Sequence, residues 1–142
     1  EGGLDVIGGG ATLAARVKRL VDAGIKVSLF IAPAKDQIVR SKEIGAAQIE
    51  LHTGEYAHAT VDAIDREVSR LAVASSEAAR IGLEVAAGHG LTRDNVLRVA
   101  AIPEIVEVNI GHSMVADAVF MSLAGSVRAM NDQLRLARSS PR

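Results

Sequence analysis

The sequence predicts an α/β fold built on a parallel sheet, and three observations carry the prediction. Short apolar runs with strand-like composition alternate with longer runs of helical period, and a glycine or proline stands at most of the seams. No turn signal such as Asn-Gly joins two neighbouring apolar runs, so hairpins are not indicated. Taken in order, residues 11–23 put Leu13, Val17, Leu20 and Val21 on one helical face, with Gly24 as the stop. Residues 25–31 form a β-rich apolar strand, and Ala32-Pro33 opens a short helix to about Glu43, ended by Gly45. Residues 46–52 are a second strand, followed by a loop through Gly54 and a long helix over about 60–80 that stops at Gly82. A third strand at 83–87 leads into Gly88-His89-Gly90 and a helix over about 92–101, broken by Pro103. The fourth strand, 105–110, passes through Gly111-His112 into a last helix reaching about Ala137. Four strands between five helices imply right-handed βαβ units in one domain, residues 1–142, with 139–142 a frayed tail.

Composition narrows the function classes. Of 142 residues 49% are hydrophobic, which excludes disorder, and no apolar run approaches the ~20 residues of a membrane span. Sixteen basic against 17 acidic residues give no electrostatic case for nucleic acid or a membrane surface as partner. The absence of cysteine excludes disulfides, thiol catalysis and Cys-ligated zinc, and fits a reducing, cytoplasmic compartment. The opening Glu1-Gly2-Gly3 has no initiating Met, basic leader or apolar signal segment, so a fragment or processed product is expected.

Strand patterns refine the class. A sheet covered on both faces has nearly continuous apolar strands. Here Ile49 and Leu51 oppose Gln48, Glu50 and His52; Leu83 and Val85 oppose Glu84 and Ala86; Val106, Val108 and Ile110 oppose Glu107 and Asn109. One face is built for helices and the other gathers polar groups, as inside a (β/α) barrel. Four strands cannot close a barrel, and about 250 residues are typical of eight. The chain therefore reads as the C-terminal half to five-eighths of a TIM barrel.

Candidate chemistry sits near the strand ends. Glu50 lies late in its strand on the polar face, where a carboxylate loses water unless it is paired. Glu84 and Glu107 are expected to be structural charges, and His52 is either functional or a rim histidine bonded to backbone. Gly88-His89-Gly90 presents an imidazole on a tight turn, a group able to move protons near neutrality. Asn109-Ile110-Gly111-His112-Ser113 repeats the Gly-His pair before a helix, whose free N–H groups and dipole suit phosphate. No spacing gathers metal ligands, His58 is expected on the surface, and Gly8-Gly9-Gly10 lacks the Lys-Ser/Thr of a phosphate loop.

With these residues in view the chain resembles the pyridoxine 5′-phosphate synthase family of vitamin B6 biosynthesis. The resemblance rests on Glu1-Gly2-Gly3-Leu4-Asp5-Val6, Val27-Ser28-Leu29-Phe30-Ile31, Ile49-Glu50-Leu51-His52-Thr53-Gly54, Gly88-His89-Gly90-Leu91-Thr92 and Asn109-Ile110-Gly111-His112. It spans the chain but only the family's C-terminal portion, from just after the fourth barrel strand. It implies condensation of 3-amino-2-oxopropyl phosphate with 1-deoxy-D-xylulose 5-phosphate to pyridoxine 5′-phosphate, phosphate and water, without metal or organic cofactor, in a cytoplasmic homo-oligomer. On the matching motifs His89 is the implied proton donor and Glu50 stabilises the transition state. Gly90, Gly111 and His112 are the implied substrate ligands, chiefly for phosphate, and residues 1–10 are a remnant of the loop that closes the site. The family's general-base histidine and glutamate, its further basic residues and the closing-loop threonine fall outside the sequence, and Ala86 stands where the motif usually has Asn. Two alternatives stay open. One is a non-catalytic half-barrel that binds phosphate or assembles with another half. The other is a different phosphate-sugar barrel enzyme, disfavoured because Lys26 begins its strand and Lys35 and Lys42 sit on a helix. Two open sheet edges also predict self-association.

Overall fold

The computed structural model describes residues 2–139. In chain order the elements are α1 (Gly10–Asp22), β1 (Ser28–Ile31), α2 (Lys35–Glu43), β2 (Gln48–His52), α3 (Gly54–Ala57), α4 (Ile64–Arg80), β3 (Glu84–Gly88), α5 (Val96–Ala100), β4 (Ile105–Asn109), α6 (His112–Met121) and α7 (Leu123–Ser139). The four strands form one sheet in the order β1-β2-β3-β4 with every pairing parallel. Leu29, Ile31, Ile49, Leu51, Val85, Ala87 and Ile105 join Ile38, Leu71, Ala74, Ala78, Val96 and Val99 from the helices in one aliphatic core. The other face carries Gln48, Glu50, His52, Glu84, Glu107 and Asn109, polar residues that the alternation anticipates, together with Phe30. Its lower part is structural: Lys26 Nζ pairs with Glu84 at 2.6 Å, and Gln48 Nε2 donates to Glu107 at 3.2 Å. The Lys26–Glu84 pair is half exposed on both sides, so its worth is small.

Four local differences from the sequence expectation have identifiable causes. A bulge opens between Val85 and Ala86, where Val85 pairs with Ile105 but Ala86 with Glu107. Val106 therefore drops out of the helix-facing set and is 67% exposed, while Val108 packs on the core. The expected helix at 92–101 shrinks to α5, because Asn95 Oδ1 accepts the Thr92 N–H at 2.8 Å and holds a turn in its place. The loop through Gly54 contains the extra short helix α3. The last helix is two: Ser122 takes φ 67° and its hydroxyl accepts the Gly125 N–H at 3.2 Å, capping α7.

The opening segment is docked. Leu4 N–H donates to the Phe30 carbonyl at 2.7 Å, placing residues 3–5 beside β1, and Val6 is fully buried. Asp5 accepts from Gly8 N–H and from Gln37, and these bonds hold its carboxyl below the ordinary carboxylate range. At the opposite edge β4 has no strand beyond it among the described residues, and α6 buries none of its ten residues; Val119 is 78% and Phe120 88% exposed.

Candidate functional site

The C-terminal ends of β2, β3 and β4 converge on one cavity of about 540 Å³. Glu50, His89, Gly90, Gly111 and His112 all line it, and Phe30, His58, Asn109 and Ser113 are among the other wall residues. Residues as far apart in sequence as Phe30 and Ser113 are thus brought to one site by the parallel register.

Glu50 projects from β2, and its Oε2 accepts from Asn109 Nδ2 at 2.7 Å. Asn109 belongs to β4, so this bond crosses over β3. It passes above Gly88, where a Cβ would overlap Glu50 Oε1 and stand 2.9 Å from the Asn109 carbonyl oxygen. The glycine is what lets the carboxylate reach across the sheet. One layer lower, the buried Ala86 likewise leaves room for Gln48 to reach Glu107.

His89 follows β3 with φ 85°, in the left-handed region that a residue with a Cβ rarely adopts, and Gly90 continues there at φ 74°. The single Thr53 O–H is shared between the Gly88 and His89 carbonyl oxygens, 2.7 and 2.6 Å from Oγ1, and the Thr53 N–H donates to Gly88 O at 2.9 Å. Asn95 Nδ2 donates to Gly90 O at 3.1 Å, and Tyr56 OH donates to Asn95 O at 2.6 Å. Burial pushes the Tyr56 phenol up, opposed by the nearby Arg98 charge, so it remains a donor at neutral pH. The His89 ring lies 4.8 Å from the His52 ring, which meets Phe30 edge-on at 5.4 Å. Gly54 makes room for this pair: a Cβ there would stand 2.6 Å from His52 Cε1 and 3.1 Å from His89 Cδ2.

Gly111 and His112 open α6, and Gly111 supplies no side-chain cap, leaving first-turn N–H groups at the cavity wall. Ser113 Oγ donates to Leu91 O at 2.7 Å, and Arg93 pairs with Asp117 at 2.7 Å, tying α6 to the loop after β3. The Asp117 carboxylate raises the Arg93 pKa above its ordinary value. His58 is exposed as expected, yet it lines the cavity, with its Nδ1 donating to Gly54 O at 2.7 Å. Among the described residues no three His, Asp or Glu side chains are grouped to hold a metal ion, and no helix is long and apolar enough to cross a membrane.

The family described as "Pyridoxal phosphate biosynthesis protein PdxJ" matches residues 1–136. The chain belongs to this family. It is 47% identical over 138 residues to the pyridoxine 5′-phosphate synthase of Sulfurihydrogenibium sp., covering 97% of this chain and 57% of that protein. The synthase of the same name from Idiomarina loihiensis is 49% identical over 139 residues, covering 97% of this chain and 57% of that protein. That of Magnetococcus marinus is 45% identical over 142 residues, covering 99% and 58%. The chain thus spans somewhat more than half the length of these relatives. Among solved structures, a chain of the Amycolatopsis orientalis BexX/CysO complex shares the fold at TM-score 0.60 and 15% identity, over 91% of this chain and 51% of that one.

Within this PdxJ chain the sequence reading missed Asn109 as the partner of Glu50, and Thr53 and Asn95 as supports of the His89 loop. Asn109 alone had a signal, sharing the polar face with Glu50; the other two act through long-range or backbone contacts that no spacing reveals.

Proposed function

We propose that this chain forms one side of a pyridoxine 5′-phosphate synthase site on a partial (β/α) barrel. In that reaction 3-amino-2-oxopropyl phosphate and 1-deoxy-D-xylulose 5-phosphate condense to pyridoxine 5′-phosphate, phosphate and water. The observation that carries the reading is the meeting of Glu50, His89, Gly90, Gly111 and His112 in one cavity of about 540 Å³, a size suited to a small phosphorylated substrate. His89 is the proton donor, placed to protonate a departing hydroxyl as water is lost. Glu50, oriented by Asn109, stabilises positive charge developing in the transition state. The N-terminus of α6 holds phosphate, with Gly90, Gly111 and His112 around it. The Gly111 backbone, at φ −113°, is open to any residue and a Cβ there would touch nothing, so the glycine's use is space for a ligand.

Pyridoxine 5′-phosphate formation from the two substrates, measured for this chain beside a version of the relatives' full length, tests the reading. Product from the longer chain, lost on His89→Ala, is the expected result; an active His89→Ala enzyme contradicts the assignment. Retained phosphate binding without turnover in the longer chain supports a non-catalytic phosphate-binding module instead. The protein acts in the cytoplasm as a homo-oligomer, held through the exposed β4 edge and α6 face. Light scattering that finds only monomer at micromolar concentration counts against that association.

A further inference from the structure

We propose that Thr53 is a positioning residue that fixes both backbone dihedrals of His89 through a single buried hydroxyl; this rests on the reading of His89 as proton donor. The φ and ψ of a residue are the orientations of the two peptide planes that flank its Cα. The carbonyl of Gly88 lies in the plane before His89, and the carbonyl of His89 lies in the plane after it. Thr53 Oγ1 lies within hydrogen-bond distance of both, at 2.7 and 2.6 Å, so one side chain ties the two planes together. The tie falls on a residue that needs it. His89 sits at φ 85°, a conformation that persists in a residue with a Cβ only where the surroundings over-determine it. Thr53 is itself immobile: it is 0% exposed, and its own N–H is bound to Gly88 O at 2.9 Å. Carried on such a frame, the His89 imidazole is aimed into the cavity rather than sampling the orientations of a free loop.

Valine has the shape of threonine without the hydroxyl, so Thr53→Val keeps the packing and removes the tie. A strong intraresidue amide–Hα NOE marks positive φ and reads the His89 backbone directly in this chain, whether or not His89 is catalytic. That NOE is expected in the wild type and in Thr53→Ser and to weaken in Thr53→Val. In a version of the relatives' full length, Thr53→Val is expected to lower kcat by roughly 10²-fold with KM little changed, and Thr53→Ser to restore it. A His89 NOE unchanged in Thr53→Val overturns the proposal, even if kcat falls. An active His89→Ala enzyme beside a lost NOE in Thr53→Val removes the catalytic reading and leaves the positioning intact. If Thr53→Val fails to fold, the double variant Thr53→Val/His89→Gly, which no longer contains the strained residue, is expected to fold. A double variant equally unfolded overturns the proposal, because Thr53 would then serve the core at large.

Discussion

At the end of β3, His89 is held at φ 85° by Thr53, with Asn95 and Tyr56 behind the next residue; at the end of β4, Gly111 has φ −113° and open space where a Cβ would stand. Both loops read as Gly-His between strand and helix. The first is rigid and strained, a way of aiming one side chain. The second is an open helix start, a way of offering backbone N–H groups. A repeated dipeptide therefore marks two physical tasks, and the neighbours, not the dipeptide, decide which.

The largest expected difference between the loops is in turnover. In a full-length version His89→Ala is expected to lose roughly 10²–10⁴-fold in kcat, the range of a positioned acid. Equal losses from His89→Ala and His112→Ala in pyridoxine 5′-phosphate formation would erase the contrast.

A second way to break it is steric. Gly88 lies under the Glu50–Asn109 bond, so Gly88→Ala forces the carboxylate aside. Overpacking of this kind costs about 1–3 kcal/mol, measurable by urea denaturation, and activity should fall with it. A variant of wild-type stability and activity would mean that the bond across β3 is dispensable.

The parallel sheet was legible because apolar runs of two periods alternate, and the polar face was legible from Gln48, Glu50 and His52 in one strand. The bulge that exposes Val106 was not, since it depends on how β4 meets β3 rather than on either strand alone. The break at Ser122 had a signal, a serine able to cap α7, masked by the apolar residues on both sides. The five candidate site residues were chosen from strand and loop pattern and fall together in one cavity, whereas Thr53, Asn95 and Asn109 act on groups 35, 5 and 59 residues away. Two of those separations exceed any local pattern. The third joins an amide to a backbone carbonyl, which no residue pair in the sequence encodes.

Relieving the strain sharpens the comparison. His89→Gly removes a conformational cost of about 1–3 kcal/mol but adds unfolded-chain freedom worth about 0.4–1 kcal/mol. The balance is a protein more stable by up to about 2.5 kcal/mol and without the imidazole proposed as proton donor. A destabilised His89→Gly chain in thermal or urea unfolding would show that the ring's contacts with His52 and Phe30 outweigh the backbone strain.

The smallest stability effect belongs to the other loop. Gly111→Ala meets no atom within 4 Å and requires no unusual φ, so only the weaker capping preference of alanine remains, less than about 1 kcal/mol. If the α6 N-terminus holds phosphate, the same methyl group, and more so the side chain of Gly111→Leu, stands where the anion must approach. Titration with inorganic phosphate should then show weakened binding in a protein of nearly unchanged stability. Affinity untouched in both variants would move the anion away from α6 and leave His89, not the helix start, as the anchor of the site. The two loops differ in what they tolerate for this reason: a group aimed by strain is damaged by changes in its supports, while a group offered by an open backbone is damaged only by what fills the space before it.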